Sequence, residues 1–334
     1  MDAFRFLVIG CLSIQLFACA KSGKRSATPA PPTTSIPAPG NTTPPQERTD
    51  PDLPASTVEI KPFTAENLLR VGQALKQLPA PNPGDPEKIK WLRIAIPEAR
   101  CGNGDGYIIF VDADAIKLDI KGRSRKVLFV FQGGGACWNK ETCFGDQPLA
   151  TLETPKEVIP SSFFPKLEGI FSGEAKYNGF LNYTKVFLPY CTGDVFLGRH
   201  TADYDGKKVQ HLGRDNVEKT IEYLKANTFF IDPIKTEDIT LFGFSAGAIG
   251  ALYHVTTVAD TFKWAAKKSV ISDAPGLHFG PKFWHRFPES YVQDATDALA
   301  NLKHPVDRDS GLLSPLIPKL CRQFPSWNFG ILQA

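Results

Sequence analysis

Residues 238–250 read DITLFGFSAGAIG, from Asp238 to Gly250. The first five residues form an apolar, β-prone run, and the stretch from Ala246 to about Val258 suits a helix. Between them lies a G-x-S-x-G, Gly243-Phe244-Ser245-Ala246-Gly247. The pattern alone is weak. Its context gives it content, because strand, sharp turn and helix in that order lift a serine hydroxyl clear of a sheet. The same turn puts the next N–H at a helix N-terminus, where the dipole favours negative charge. Ser245 is therefore the candidate nucleophile, and the N–H of Ala246 a candidate oxyanion donor.

The flanking sequence alternates short apolar runs with helix-like stretches. Trp91–Ile96 and Tyr107–Val111 read as an antiparallel opening pair of strands. Lys126–Phe131 and Lys185–Tyr190 are continuous apolar runs of the kind buried on both faces. Asp215 is expected to open a helix, with Glu218 as its capping-box partner. Lys268–Ser272 reads as a strand, 289–302 and 312–322 as helical, and Trp327 onward as a further strand. Strands alternating with helices imply an α/β fold, a mostly parallel sheet with helices on both faces. Functional groups then gather at the carboxyl ends of strands. Three features fall there: the glycines at 133–135, the Pro189-Tyr190-Cys191 run, and Ser245.

The glycine run offers the second half of an oxyanion hole. It follows a buried strand well upstream of the serine, and glycines let the backbone turn N–H groups toward a substrate oxygen. A phosphate loop is disfavoured, since neither G-K-[ST] nor G-x-G-x-x-G follows.

The N-terminal segment has a different character. Arg5 precedes an apolar run from Phe6 to Phe17, too short for a comfortable membrane span, that ends in Leu16-Phe17-Ala18-Cys19. It reads as an export signal over 1–19 with a lipobox, lipidated at Cys19; an ordinary cleaved signal is the alternative. Residues 20–57 are dominated by Pro, Thr, Ser and Ala and read as an extended tether. The folded domain is expected over 58–334, exported and lipid-anchored to a bacterial cell envelope without a spanning helix. Export favours disulfides. Cys137 and Cys143 lie close enough to bridge a loop. The five cysteines after the tether are an odd number, so one is expected to be free or paired outside this chain. Neither the cysteine and histidine spacing nor any H-E-x-x-H or EF-hand pattern indicates a metal. No cofactor is implied. With 38 basic and 35 acidic side chains, net charge +3, the chain has no electrostatic footprint for nucleic acid.

Together, FQGGGACWNKETC, VFLPYCTGDVFLG and LFGFSAGAIG, in this order and spacing, resemble the pectin acetylesterase/Notum family of α/β-hydrolase carboxylesterases. ISDAPGLHF resembles the D-S-G stretch that follows the nucleophile there, with Ala274-Pro275 as a departure. The likeness runs from about Arg100 to Gly280. It implies Ser245 as nucleophile and backbone N–H groups around Gly134, Gly135 and Ala246 as the oxyanion hole. It also implies an ester substrate, with O-acetyl groups on a polysaccharide foremost. Where the family has Trp or Tyr between the glycines and the Cys, this chain has Ala136, which opens or reshapes the acyl pocket. Asp194 and Asp273 are candidate pocket residues, each with a structural alternative. Trp138, Phe196 and Phe244 are candidates to line a pocket or to pack the core.

A serine needs a histidine to take its proton and a carboxylate to orient that histidine. In this fold both follow the serine. His254, His278, His285 and His304 are weak candidates, and His200 and His211 precede Ser245. The expectation is that acid and base lie past Ala334, in a chain cut short within a strand. Two rivals stand beside an esterase: a peptidase or thioesterase on the same fold, and a non-catalytic surface-binding lipoprotein that kept the turn.

Overall fold

A computed structural model describes residues 13–15, 59–60, 91–112, 125–155, 169–172, 175–228, 231–300 and 306–333. Cys19, the expected tether and His304 lie outside them. The strands are β1 (Ser13–Gln15), β2 (Glu59–Ile60), β3 (Trp91–Arg100), β4 (Gly106–Asp112), β5 (Lys126–Phe131), β6 (Thr184–Leu188), β7 (His200–Tyr204), β8 (Lys207–His211), β9 (Asp238–Phe244), β10 (Lys267–Asp273) and β11 (Asn328–Gln333). Among the described residues, one sheet runs β1-β11-β10-β9-β5-β6-β4-β3-β2, and β7 pairs with β8 in a separate hairpin.

The centre of the large sheet, β6-β5-β9-β10-β11, is parallel. The opening pair β3–β4 is antiparallel, as expected, and β4 joins β6 antiparallel. Ser13–Gln15, inside the expected export segment, pairs antiparallel with β11. An apolar run carries no register of its own, so this pairing is not legible in the residues alone.

Period-two alternation builds two cores from the same strands. On β5, Val127, Phe129 and Phe131 enter the larger cluster, while Leu128 and Val130 enter the smaller one with Phe110 and Phe187. The larger cluster receives apolar residues from α1 (Lys140–Phe144), α2 (Gly213–Ala226), α3 (Ala246–Tyr253), α4 (Val255–Thr261), α5 (Glu289–Ala298) and α6 (Leu316–Gln323). Ile170, Phe171, Phe180 and Tyr183 pack on the smaller one.

Two local expectations are corrected. The helix expected at Asp215 starts at Gly213, and its N-cap, Leu212, makes no side-chain cap. The Gly213 N–H donates instead to the distant Asp194 carboxylate at 2.6 Å. Asp215 and Glu218 both pair with the Arg199 guanidinium, which takes Glu218 away from a capping box. The helix expected over 246–258 is broken at His254, whose imidazole donates to the Phe196 carbonyl.

Disulfides join Cys101 to Cys191 and Cys137 to Cys143. The first ties the β3–β4 turn to the run after β6. Cys321 is also disulfide-bonded, so it is not a free thiol. No helix among the described residues is long and apolar enough to cross a membrane.

Candidate active site

Register brings the three strand ends to one edge. Phe131 lies opposite Gly243 and Leu188, and Phe244 opposite Asp273. Ser245 follows immediately, at φ 53° and ψ −122°, and α3 begins at the next residue. This is the strained turn expected of the motif. The Ser245 N–H donates to the Asp273 carbonyl at 2.9 Å, and the side chain stays exposed. Gly247 is required by close approach: an added Cβ would lie 2.1 Å from the Phe131 carbonyl oxygen.

Ser245 lies in the wall of a cavity of about 320 Å³. Gly135, Ala136 and Trp138 form one side, Ala246 and Ile249 from α3 another. The segment Ala274–Tyr291 closes it with Phe279, Phe283, Trp284, Phe287 and Tyr291. Among the described residues, the N–H groups of Gly134, Gly135 and Ala246 meet no hydrogen-bond acceptor. Gly135 and Ala246 line the cavity beside the serine; Gly134 stands next to them in the loop, outside the lining. Free donors at a helix start and a glycine loop, beside an exposed hydroxyl, suit the charge that develops on a carbonyl oxygen under attack.

The remaining predicted residues divide. Trp138 lines the cavity and lies against Phe287, ring centroids 4.4 Å apart. Phe196 does not; it is buried between Phe131 and Tyr190 and under Gly250. Phe244 packs against Gly133. Asp194 is fully buried, and its carboxylate accepts from the Thr192 hydroxyl and the N–H groups of Phe196 and Gly213. It braces the turn after β6 and takes no part in the cavity wall. Burial raises its pKa, against the pull of those three donors. Asp273 is half-buried, with its pKa raised by burial; its neighbours Ala274, Pro275 and Gly276 line the cavity, and it does not.

Among the described residues, no histidine or carboxylate lines the cavity. His200 is held by Asp294 at 2.5 Å. His211 donates to the Thr192 carbonyl and meets the Tyr204 hydroxyl. His254 is buried between α3 and α4. His278 is exposed, and His285 pairs with Asp309. Burial lowers the pKa of both His211 and His254 to about 4, so both are neutral structural imidazoles at neutral pH. Donor atoms of Cys137, Cys143 and His211 come within 4.8 Å of one another, but the two sulfurs are joined in the disulfide and offer no thiolate.

The aromatic wall from Phe279 to Tyr291 was missed in the sequence. Its signal was the spacing of five rings in FGPKFWHRFPESY, which looks like ordinary core until the segment is known to cross the site.

Residues 119–283 match the family model described as Pectinacetylesterase. The chain is 25% identical over 210 residues to a palmitoleoyl-protein carboxylesterase NOTUM of Schmidtea mediterranea, covering 60% of this chain and 37% of that protein. It is 26% identical over 141 residues to the human protein of that name, covering 41% and 26%. It is 28% identical over 144 residues to pectin acetylesterase 11 of Arabidopsis thaliana, covering 43% and 35%. The chain thus spans about a quarter to just over a third of the length of these relatives.

Proposed function

We propose, on the premise that the chain belongs to the pectin acetylesterase/Notum family of α/β-hydrolases, that it is a serine carboxylesterase acting through Ser245. One observation carries the reading. An exposed serine at a strained strand–helix turn shares a cavity with the unengaged N–H groups of Gly135 and Ala246.

In the reaction, Ser245 Oγ attacks an ester carbonyl and loses its proton. The carbonyl oxygen becomes an oxyanion held by N–H groups of Gly134, Gly135 and Ala246. The tetrahedral carbon then expels the alcohol, which takes up a proton, and leaves an acyl-enzyme. Water attacks this ester in turn, releasing the acid and restoring the serine. The imidazole that accepts the Ser245 proton is sought outside the residues that line the cavity.

The resemblance points to O-acetyl groups on a polysaccharide as substrate. A bulkier hydrocarbon acyl group is the second reading, favoured by the aromatic walls and by a volume larger than an acetyl group needs. On this proposal the enzyme works at the cell envelope, held by a lipid on Cys19. Loss of metabolic fatty-acid labelling in Cys19→Ala would support the anchor.

The nucleophile is tested with an alkyl fluorophosphonate. Wild type should become labelled on Ser245, and Ser245→Ala should not. A wild-type protein that resists labelling at any concentration would favour a surface-binding protein over an enzyme. A panel of ester, thioester and peptide substrates separates esterase from thioesterase and peptidase.

A further inference from the structure

We propose that the amino-terminal edge of the central sheet, opposite the Ser245 edge, is a docking face for a bilayer containing anionic phospholipid. The inference stands on surface residues and does not depend on Ser245 as nucleophile.

Parallel strands gather their starts at one edge just as they gather their ends at the other. Lys126 of β5, Asp238 of β9 and Lys267 of β10 are register partners in one row. Backbone bonds join the turns that lead into them. The Glu237 N–H donates to the Arg125 carbonyl at 2.8 Å, and the Lys267 N–H to the Glu237 carbonyl at 3.0 Å. The Tyr183 hydroxyl, just before β6, donates to the Asp238 carboxylate at 2.8 Å. The turns before β6, β5, β9 and β10 therefore make one continuous surface, about 15 Å wide at the usual strand spacing.

That surface carries apolar and basic side chains together. Tyr177, Ile234 and Trp264 come from the turns before β6, β9 and β10 and are 61%, 75% and 66% exposed. Singly, such residues are ordinary; three on one edge are a patch. Arg125, Lys126, Lys235, Lys263 and Lys267 are exposed around them. Glu237 answers Arg125, and Asp232 answers Lys235. Among the described residues, Lys126, Lys263 and Lys267 form no ion pair. Against them stands the exposed carboxylate of Asp260, while Asp238 is buried on Tyr183. Two of these lysines lie over rings: Lys126 is 5.5 Å from the centre of Tyr183, and Lys263 is 5.2 Å from that of Trp264.

This mixture selects the occupant. An anionic polysaccharide would answer the lysines but offers Ile234 no hydrocarbon. A bilayer offers headgroup phosphate to the lysines, an interface to tryptophan and tyrosine, and acyl chain to isoleucine. Chain direction agrees. β2 runs parallel to β3, which through β4 runs parallel to β6. The chain preceding Glu59 thus joins the sheet on this side. A protein docked in this way turns the Ser245 cavity away from the bilayer, toward esters outside the membrane.

The test is quenching of tryptophan fluorescence in the full chain by vesicles with brominated acyl chains. One set is phosphatidylcholine, and the other is phosphatidylcholine and phosphatidylglycerol in equal parts. The mixed vesicles should quench wild type, and high salt should reverse the effect. Trp264→Phe should lose most of the quenching, because it removes the exposed indole. The combined variant Lys126→Gln, Lys263→Gln, Lys267→Gln should lose it as well, each lysine being worth about fivefold in binding. These side chains are exposed, so urea midpoints and fluorophosphonate labelling should stay at wild-type values. Quenching that survives Trp264→Phe, or that is equal with the two vesicle sets, overturns the proposal. So does binding of soluble polygalacturonate, lost in the lysine variant, by a protein that vesicles do not quench; the edge would then hold an anionic polysaccharide. Ser245→Ala should be quenched like wild type. Failure of labelling therefore leaves the docking face standing, and failure of quenching leaves the nucleophile standing.

Discussion

The backbone N–H of Ser245 donates to the carbonyl oxygen of Asp273 across 2.9 Å, which hangs the serine's turn from the end of the neighbouring strand. That bond helps hold Ser245 at φ 53°, ψ −122°, a conformation that side chains rarely adopt. Removing the side chain should relieve the strain. Ser245→Gly should be more stable than Ser245→Ala by ~1 kcal/mol, because alanine keeps the Cβ that causes it. Urea midpoints of the two variants decide this. Equal midpoints would mean the turn carries no strain, and both variants should lose fluorophosphonate labelling in any case.

Gly247 faces a harder limit. A Cβ there would meet the Phe131 carbonyl oxygen at 2.1 Å and its carbon at 2.6 Å, both backbone atoms of a central strand. Gly247→Ala must lift α3 from β5, and overpacking of this kind costs ~2 kcal/mol or more. The same displacement moves Ser245 and the Ala246 N–H apart from Gly135. The expected result is a lower urea midpoint together with slower labelling. A variant as stable and as reactive as its parent would refute the close contact.

Much of this site is legible in the sequence for a local reason. Strand, turn and helix around Ser245 are specified by residues adjacent in the chain, as is the glycine loop after Phe131. Partners set by long-range packing are not legible in that way. Nothing near Gly213 in sequence says that Asp194 will satisfy its N–H, and Glu218 looks like a capping residue until Arg199 claims it. Phe196 and Trp138 look alike as aromatic residues beside a strand end. One is buried beneath α3 and the other lines the cavity.

Asp194 gives a prediction that separates bracing from substrate binding. Its carboxylate answers three donors at a site with no solvent access. Asp194→Ala leaves all three unsatisfied and should cost ~3 kcal/mol or more. Asp194→Asn keeps an acceptor for Phe196 and Thr192 but sets an amide against the Gly213 N–H, so its cost should be smaller, about 1–2 kcal/mol. Urea melts of both variants check the order. If Asp194→Ala melts like wild type while weakening only ligand binding, Asp194 belongs to the site and not to the scaffold.

His254 links the fold to pH. Burial lowers its pKa to about 4, below the ordinary 6.5. The unfolded chain therefore takes up a proton near 6.5, whereas the folded chain resists until about 4. Across that interval the unfolded state binds more protons, so the contribution of His254 to stability is complete above 6.5 and is lost as pH falls. The full loss is on the order of 3 kcal/mol. His211, also lowered to about 4, acts in the same direction. Asp194 and Asp273, raised by burial, act in the opposite one. A comparison of wild type with His254→Gln removes those shared terms. Glutamine can still donate to the Phe196 carbonyl, but it does not titrate. The stability advantage of wild type over His254→Gln should shrink steadily between pH 6.5 and pH 4, read from urea midpoints at closely spaced pH values. A constant difference across that range would show that His254 is no more reluctant to protonate in the folded protein than in the unfolded chain.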